Sequence, residues 1–151
     1  MQYQDWFTLY LSTYKRDLKP RTREEYERQH RVYIAPVIGE KPLEDISPED
    51  CQAIINAAAE NGERISQAVF ALLRASFRRA VRSRRLQWSP MDAVDRPKHR
   101  PETGNALTQA DYLAVVPEIS DDLSLSLALF AGLRRAEIAG LKWGDVDLVA
   151  N

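Results

Sequence analysis

The stretch "FAGLRRAEIAGLKWGDVDL", Phe130 to Leu148, sets Arg134 and Arg135 directly after Gly132 and Leu133, at the junction of two predicted helices. An arginine stays charged at any working pH and presents a planar fork of donors that can make two parallel hydrogen bonds to phosphate oxygens. At a helix start, backbone N–H groups add to that grip, and such a cluster stabilises negative charge gathering in a transition state. Glu137, one turn on, is placed to hold the guanidinium. The same two residues also read as an ordinary i,i+3 pair on a helix surface, worth about 0.2–0.5 kcal/mol. Residue types alone leave both readings open.

A second group of arginines lies upstream. Between Arg64 and Arg100 there are ten basic residues and only two acids, Asp92 and Asp95, so the segment carries +8 while the whole chain carries −1. Arg74, Arg78, Arg82 and Arg85 recur at i, i+4, i+8 and i+11, one face of a helix predicted over 63–86. The opposite face carries Ile65, Val69, Leu72, Leu73, Ser76, Phe77 and Ala80. A row of guanidinium groups nearly free of acids suits the phosphates of duplex DNA, contacted for position without reading bases. The plain alternative is a solvated helix face. Lys15, Arg16, Lys19, Arg21 and Arg23 form a second basic cluster at the first interhelical turn, diluted by Glu24, Glu25 and Glu27. Lys98 follows in the candidate linker. The candidate DNA contacts are therefore Arg74, Arg78, Arg82, Arg85, Arg21, Arg23 and Lys98.

The elements that must carry these residues read as helices joined by short turns. Trp6, Tyr10 and Tyr14 with Phe7 and Leu11 give an aromatic helical face. "TREE" predicts a capping box from Thr22 to Glu25, and Pro36 is expected to bend or end that helix. "GEKP" reads as a turn. "SPED" predicts a start with Ser47 as cap and Pro48 first in the helix, which runs to about Glu60. The stretch from Ser89 to Ala106, with its prolines and a Gly-Asn pair, reads as a linker. Thr108 with Asp111 restarts a helix. "DDLSLSLALFAGL" predicts a buried helix, "RRAEIAGLKW" a short one, and "DVDL" the approach to a strand. The divisions are 1–88, a helical DNA-binding domain; 89–106, a linker; and 107–151, the opening of a second domain.

Composition narrows the class. In 151 residues, 44% hydrophobic and 28% charged content fits a folded globular chain. No apolar run approaches the roughly 18 residues of a membrane span, so no membrane partner is expected. The first residues lack the pattern of a secretory signal. Cys51 is the sole cysteine, which excludes an intramolecular disulfide and a cysteine-cluster zinc site. No metal or cofactor is expected, and a cytoplasmic setting is. Cys51 reads as a small helix residue and not a nucleophile. His30 falls on the apolar face of its helix and reads as partly buried; His99 reads as solvated.

"AGLRRAEIAGLKWGDVDL" resembles the first catalytic motif of the tyrosine recombinases, the phage integrase family: Thr-Gly-Leu-Arg, two variable residues, Glu, then Leu-x-Trp-x-Asp-hydrophobic-Asp. Gly132, Leu133, Arg134, Glu137, Leu141, Trp143, Asp145 and Asp147 match, and Ala131 replaces the usual threonine. "RTREEYERQHRVYIAPVIGEKPLEDIS" is similar to the family's core-binding domain through Thr22, Tyr26, Pro36, Gly39, Pro42 and Leu43. "FRRAVRSRRLQWSPMDAVDRPK" resembles its close, with Ser89 where asparagine is commoner. The resemblance implies a mainly α chain: a four-helix, SAM-like core-binding domain, a linker, then the opening helices of a truncated α+β catalytic domain.

It further implies an enzyme class that cuts and rejoins duplex DNA through a 3′-phosphotyrosine, with self-association on DNA in the full-length parent. Arg134 aligns with the family's first catalytic arginine and Glu137 with its supporting glutamate. The family's later residues, a hairpin lysine, His-x-x-Arg, a further His or Trp and the nucleophilic tyrosine, have no match here. His30 and His99 lie upstream, as do all six tyrosines, Tyr3, Tyr10, Tyr14, Tyr26, Tyr33 and Tyr112. These residues are therefore expected to bind duplex DNA without cleaving it. The alternatives are a stand-alone non-catalytic DNA-binding relative, decayed or regulatory, and a helical protein-interaction module. Leu123, Leu125, Leu127, Leu129 and Phe130 would normally pack against later elements of a catalytic domain, so partial exposure or self-association is expected there.

Overall fold

The computed structural model describes residues 1–98, 104, 106–119 and 121–147. The remaining linker residues, His99, Arg100 and Leu148 lie outside the described residues. The chain divides into two units, Met1–Pro101 and Glu102–Asn151. It is mainly helical; among the described residues there is no strand, and one isolated bridge joins Gln2 to Pro42.

In the first unit, α1 (Tyr3–Leu9) runs on into a π turn, Tyr10–Tyr14. Its amide end is tied to the following hairpin-like turn: Tyr3 N–H donates to Lys41 O, Gln4 N–H to Gly39 O, and Leu43 N–H to Met1 O. The "GEKP" turn thus closes on the N-terminus. Helix α2 (Pro20–Gln29) starts three residues earlier than the capping-box reading. Lys19 is the cap and Pro20 opens the helix with its φ already helical. Thr22 and Glu25 therefore lie inside the helix, and Glu25 instead accepts hydrogen bonds from Arg28 and Gln29. These hold its carboxyl down at about 2, the Arg28 bond being the larger cause.

Pro36 does not end this rod. A π turn over His30–Ile34 precedes α3 (Ala35–Ile38), and Ala35 N–H bonds back to His30 O, five residues away. The wider turn takes up the missing N–H and bulky ring that Pro36 would otherwise press into the preceding turn. Gly39 closes α3 where a Cβ would stand 2.6 Å from the Ala35 carbonyl oxygen, so only glycine fits without a backbone shift.

Helix α4 (Pro48–Ala59) carries the expected box: Ser47 Oγ accepts from Asp50 N–H, and Asp50 accepts from Ser47 N–H. Lys41 Nζ, 2.7 Å from Asp50, holds that carboxyl below its usual range. Helix α5 (Glu63–Arg82) is the longest element. A core of Tyr3, Trp6, Tyr10, Ile34, Ile38, Ile54, Leu72, Leu73 and Phe77 fills the space between these helices. Within it, Ser76 Oγ accepts hydrogen bonds from Trp6 Nε1 (2.9 Å) and Tyr3 Oη (3.3 Å), joining α1 to α5. Burial pushes the Tyr3 hydroxyl far up and the Cys51 thiol up to about 12, which leaves Cys51 inert as a nucleophile.

Residues 90–94, read from sequence as linker, differ from that expectation. Pro90–Ala93 form a 3-10 turn, with Ser89, Pro90, Met91 and Val94 buried in the first unit. Apolar Met91 and Val94 supply the burial that a proline-rich composition concealed.

In the second unit, α6 (Gln109–Glu118) begins with the Thr108–Asp111 box, as the sequence predicts. Helix α7 (Leu123–Phe130) is capped by Asp122, whose carboxylate accepts from Ser124 and Leu125 N–H. Its composition reads as a buried helix, yet none of its residues is buried, and the exposure expected of Leu123, Leu125 and Phe130 is observed. Helix α8 (Arg135–Gly140) and a 3-10 turn, Trp143–Asp145, follow. "DVDL" forms no strand over its described residues, 145–147.

Candidate nucleic-acid interface

Helix α5 sorts its residues as the period predicts. Val69, Leu72, Leu73, Ser76, Phe77 and Ala80 are buried; Arg78 and Arg82 are exposed and Arg74 is half-buried. Arg85 is the exception. The helix stops at Arg82, and Arg84 takes the left-handed conformation (φ 56°). Arg85 N–H bonds to Ala80 O and Arg84 N–H to Val81 O, the pair that defines a Schellman motif. That position normally takes glycine, so no local stop signal marks it, and the helix predicted over 63–86 ends instead at Arg82. Arg85 therefore leaves the helical row; its guanidinium lies 5.8 Å from the Trp6 ring centroid.

Two shallow concavities, each about 570 Å³, flank the row and share Ala75 and Arg78. One is walled by Arg64, Arg74, Arg78 and Arg96, with Phe70, Ala68 and Ala71 in its floor. The other lies between the first π turn and α5, walled by Tyr14, Lys15, Arg78, Arg79 and Arg82. The small side chains at 68, 71 and 75 open this surface: alanines one turn apart leave hollows between the longer arginines. That spacing is visible in the sequence, as is the basic cluster that contains Lys15; that Lys15 and Arg79 wall one concavity with Arg78 and Arg82 is visible only in the structure.

Electrostatically the row is unpaired. Among the described residues, no carboxylate forms an ion pair with Arg74, Arg78, Arg79, Arg82 or Arg85. The Nε atoms of Arg74 and Arg79 are buried without a hydrogen-bond partner. Their guanidinium groups rest instead on rings, Arg79 at 3.8 Å from the Tyr14 centroid and Arg74 at 5.8 Å from that of Phe70. Such contacts orient a cation without cancelling its charge. The candidates on α2 differ. Arg23 Nε donates to Glu27 at 3.1 Å. Arg21 is exposed but lines a hollow that also contains Glu24 and Glu25. Lys98 is exposed, apart from both concavities.

His30 is stacked on Phe7, with centroids 4.1 Å apart and planes within 4°. Burial lowers its pKa, and its Nε2 is buried without a partner. It is half-buried against the aromatic core, as its place on the apolar helix face predicts. Among the described residues no group of His, Cys, Asp and Glu could hold a metal, and no helix is long and apolar enough to cross a membrane.

In the second unit, Gly132 has φ +67°, which turns the chain from α7 toward α8 and favours glycine. Arg134 is the N-cap of α8 in extended conformation. Glu137 accepts from Arg134 N–H (2.7 Å) and from its Nη1 (3.3 Å), so one carboxylate holds both the backbone and the side chain. The Arg134 side chain remains 86% exposed. Nearby, an open apolar hollow of about 580 Å³ is lined by Leu123, Leu127, Ile138, Leu141, Trp143 and Val146.

Comparison with known proteins places this geometry. Residues 2–58 match the model of the phage integrase N-terminal SAM-like domain. The integrase of Escherichia phage HK022 is 25% identical over 139 residues, covering 88% of this chain and 38% of that protein. Among solved structures, a lambda integrase dimer bound to a COC′ core site matches with TM-score 0.82 and 22% identity, over 98% of this chain and 56% of that one. The Tn1549 transposon integrase in complex with circular intermediate DNA matches with TM-score 0.80 and 20% identity, over 99% and 52% respectively. The chain thus spans under two fifths of its curated relative and about half of these structures. The chain thus carries a match to the phage integrase SAM-like domain at its start and an integrase-like fold over nearly all its length, with the Gly-Leu-Arg turn in its second unit.

Proposed function

We propose that these residues are the DNA-binding portion of a site-specific tyrosine recombinase, an integrase that cuts and rejoins duplex DNA through a 3′-phosphotyrosine. The observation that carries the reading is the unpaired guanidinium row on α5, opened by alanines into two joined cationic hollows. Permanent charges held without carboxylate partners are costly together unless an anion neutralises them, and a phosphodiester backbone supplies anions at regular spacing. Arg74, Arg78, Arg82, Lys15 and Arg64 would contact phosphates and position the duplex. Arg85 contributes from the turn after α5. Arg21 and Lys98 add charge, whereas Arg23 must first leave Glu27. The proposed domains are 1–88, with the buried residues of 89–94 packed onto it, and 107–151, joined through the rest of 89–106.

In this reading Arg134 grips the scissile phosphate, with Glu137 fixing the guanidinium. Binding of duplex DNA is the part of that reaction which these residues carry. Self-association on DNA belongs to the complete recombinase.

Anisotropy of a labelled duplex measured with the full chain between about 50 and 200 mM salt tests the reading; the log–log slope should be near −0.9 for each phosphate neutralised. Replacing Arg74, Arg78 and Arg82 together by alanine should flatten the slope by about 0.9 for each phosphate no longer neutralised, equally on unrelated sequences. An unchanged slope removes α5 from the interface. In a complete recombinase carrying this segment, Arg134→Ala should abolish strand cleavage and leave binding largely intact. Persistent cleavage would show that another residue holds the phosphate.

A further inference from the structure

Among the described cations of the first unit that lie over a ring, Arg79 lies nearest to its ring. Arg23 and Arg28 are each pinned by a glutamate, at 3.1 and 2.8 Å. Arg79 has no such partner among the described residues. Its Cζ lies 3.8 Å from the centroid of the Tyr14 ring, and its Nε is buried without an acceptor. Tyr14 is itself fixed from two sides. The Trp6 ring lies 6.0 Å away, and Ser83 Oγ lies 3.3 Å from Tyr14 Oη. Ser83 in turn donates to the Arg79 carbonyl at 2.8 Å. The ring and the helix end that carries Arg79 are therefore one assembly. Tyr14 closes a π turn, a widening of the helix often found where a side chain must be re-aimed. Tyr14 and Arg79 wall the same concavity as Lys15, Arg78 and Arg82.

We infer that Tyr14 is a positioning residue: its ring holds the Arg79 guanidinium oriented in that concavity, so that a single backbone phosphate of duplex DNA enters a preformed seat between Arg79, Arg78, Arg82 and Lys15. This rests on the reading that the α5 face binds DNA. The physical gain is entropic and electrostatic. A free arginine loses much rotamer freedom on binding, and a stacked one has already lost it. A ring, unlike a carboxylate, restricts the guanidinium without neutralising it. The Tyr14 pKa is lowered, first by the hydrogen bond with Ser83 and then by contact with Arg79 and the charges of Arg79 and Arg85, in keeping with a phenol surrounded by cations.

The test compares the full chain with Arg79→Ala, Tyr14→Leu, the double variant and Tyr14→Phe, each checked for folding by its thermal transition. Duplex affinity is read by anisotropy over about 50–200 mM salt. Each single variant should lower the slope by about 0.9, the value of one phosphate contact. The double variant should lose no more than Arg79→Ala alone, and Tyr14→Phe, which keeps the ring, should restore the slope. Losses that add in the double variant, or an unaffected Tyr14→Leu, overturn the inference. If Tyr14→Leu does not fold, NMR of the unaltered chain decides. The Arg79 Nε–H resonance should be shifted upfield by the Tyr14 ring, and a resonance at its ordinary position overturns the inference. Failure of the underlying DNA reading shows separately, as a slope unchanged when Arg74, Arg78 and Arg82 are all replaced.

Discussion

The two units of the chain use similar apolar residues to opposite ends. In the first, Trp6, Tyr3, Tyr10, Phe77 and the isoleucines and leucines around them are almost wholly withdrawn from water. In the second, Leu123 is 68% exposed, Phe130 60% and Trp143 83%, and no residue of α6, α7 or α8 is buried. Both units have well-made helix starts: Ser47 with Asp50 in one, Thr108 with Asp111 and Asp122 with Ser124 in the other. The difference teaches that capping draws a helix locally, whereas a core needs facing elements to meet it. Helices of ten, eight and six residues, the lengths of α6, α7 and α8, gain little stability by themselves in water.

The division also separates functions. In the first unit the core fixes the cation-bearing face of α5 rigidly, so charge can be aimed. In the second, the Gly132 turn and Glu137 set Arg134 by short-range contacts alone.

The largest expected effect lies at the centre of the first unit. Trp6→Ala should cost about 3–5 kcal/mol, as deletion of a buried large aromatic does, seen as a lowered denaturant midpoint and a matching loss of duplex binding. A cost below about 1 kcal/mol would mean that the two regions are not so different. Ser76→Ala comes next. It strands the buried Trp6 Nε1–H and Tyr3 hydroxyl together, and should cost about 1–3 kcal/mol by the same measurement. The smallest effect belongs to the second unit. Phe130 is mostly exposed and meets the edge of Tyr112 at 6.3 Å, so Phe130→Ala should change stability by less than about 0.5 kcal/mol. Hydrogen exchange sharpens the contrast: α6–α8 amides should exchange through local opening, and α4 and α5 amides only near global unfolding. Equal protection would erase the comparison.

Much of the architecture was readable without coordinates, because its signals are local. The Ser47 and Thr108 caps, the two faces of α5 and the excess of positive charge between Arg64 and Arg100 are written in neighbouring residues. The Gly-Leu-Arg turn with its glutamate is similarly short-ranged. What failed were signals that local chemistry does not contain. The end of α5 falls at Arg84, a residue with no preference for the left-handed conformation it adopts. The π turns before Tyr14 and Pro36 have no residue signature of their own. The supposed linker starts inside the core because Met91 and Val94 find space between α4 and α5.

Sequence by itself determined the helices, the charge asymmetry and the identity of Arg134 and Glu137 as a joined pair. Tertiary structure alone decided which cations share a surface. It removed Arg85 from the row, tied Arg23 to Glu27, and brought Lys15 and Tyr14 to Arg79 across more than sixty residues of chain. The reason is physical: helix periodicity and capping act over one or two turns, whereas a binding surface is made by side chains that only packing of the whole core can bring within a few ångströms of one another.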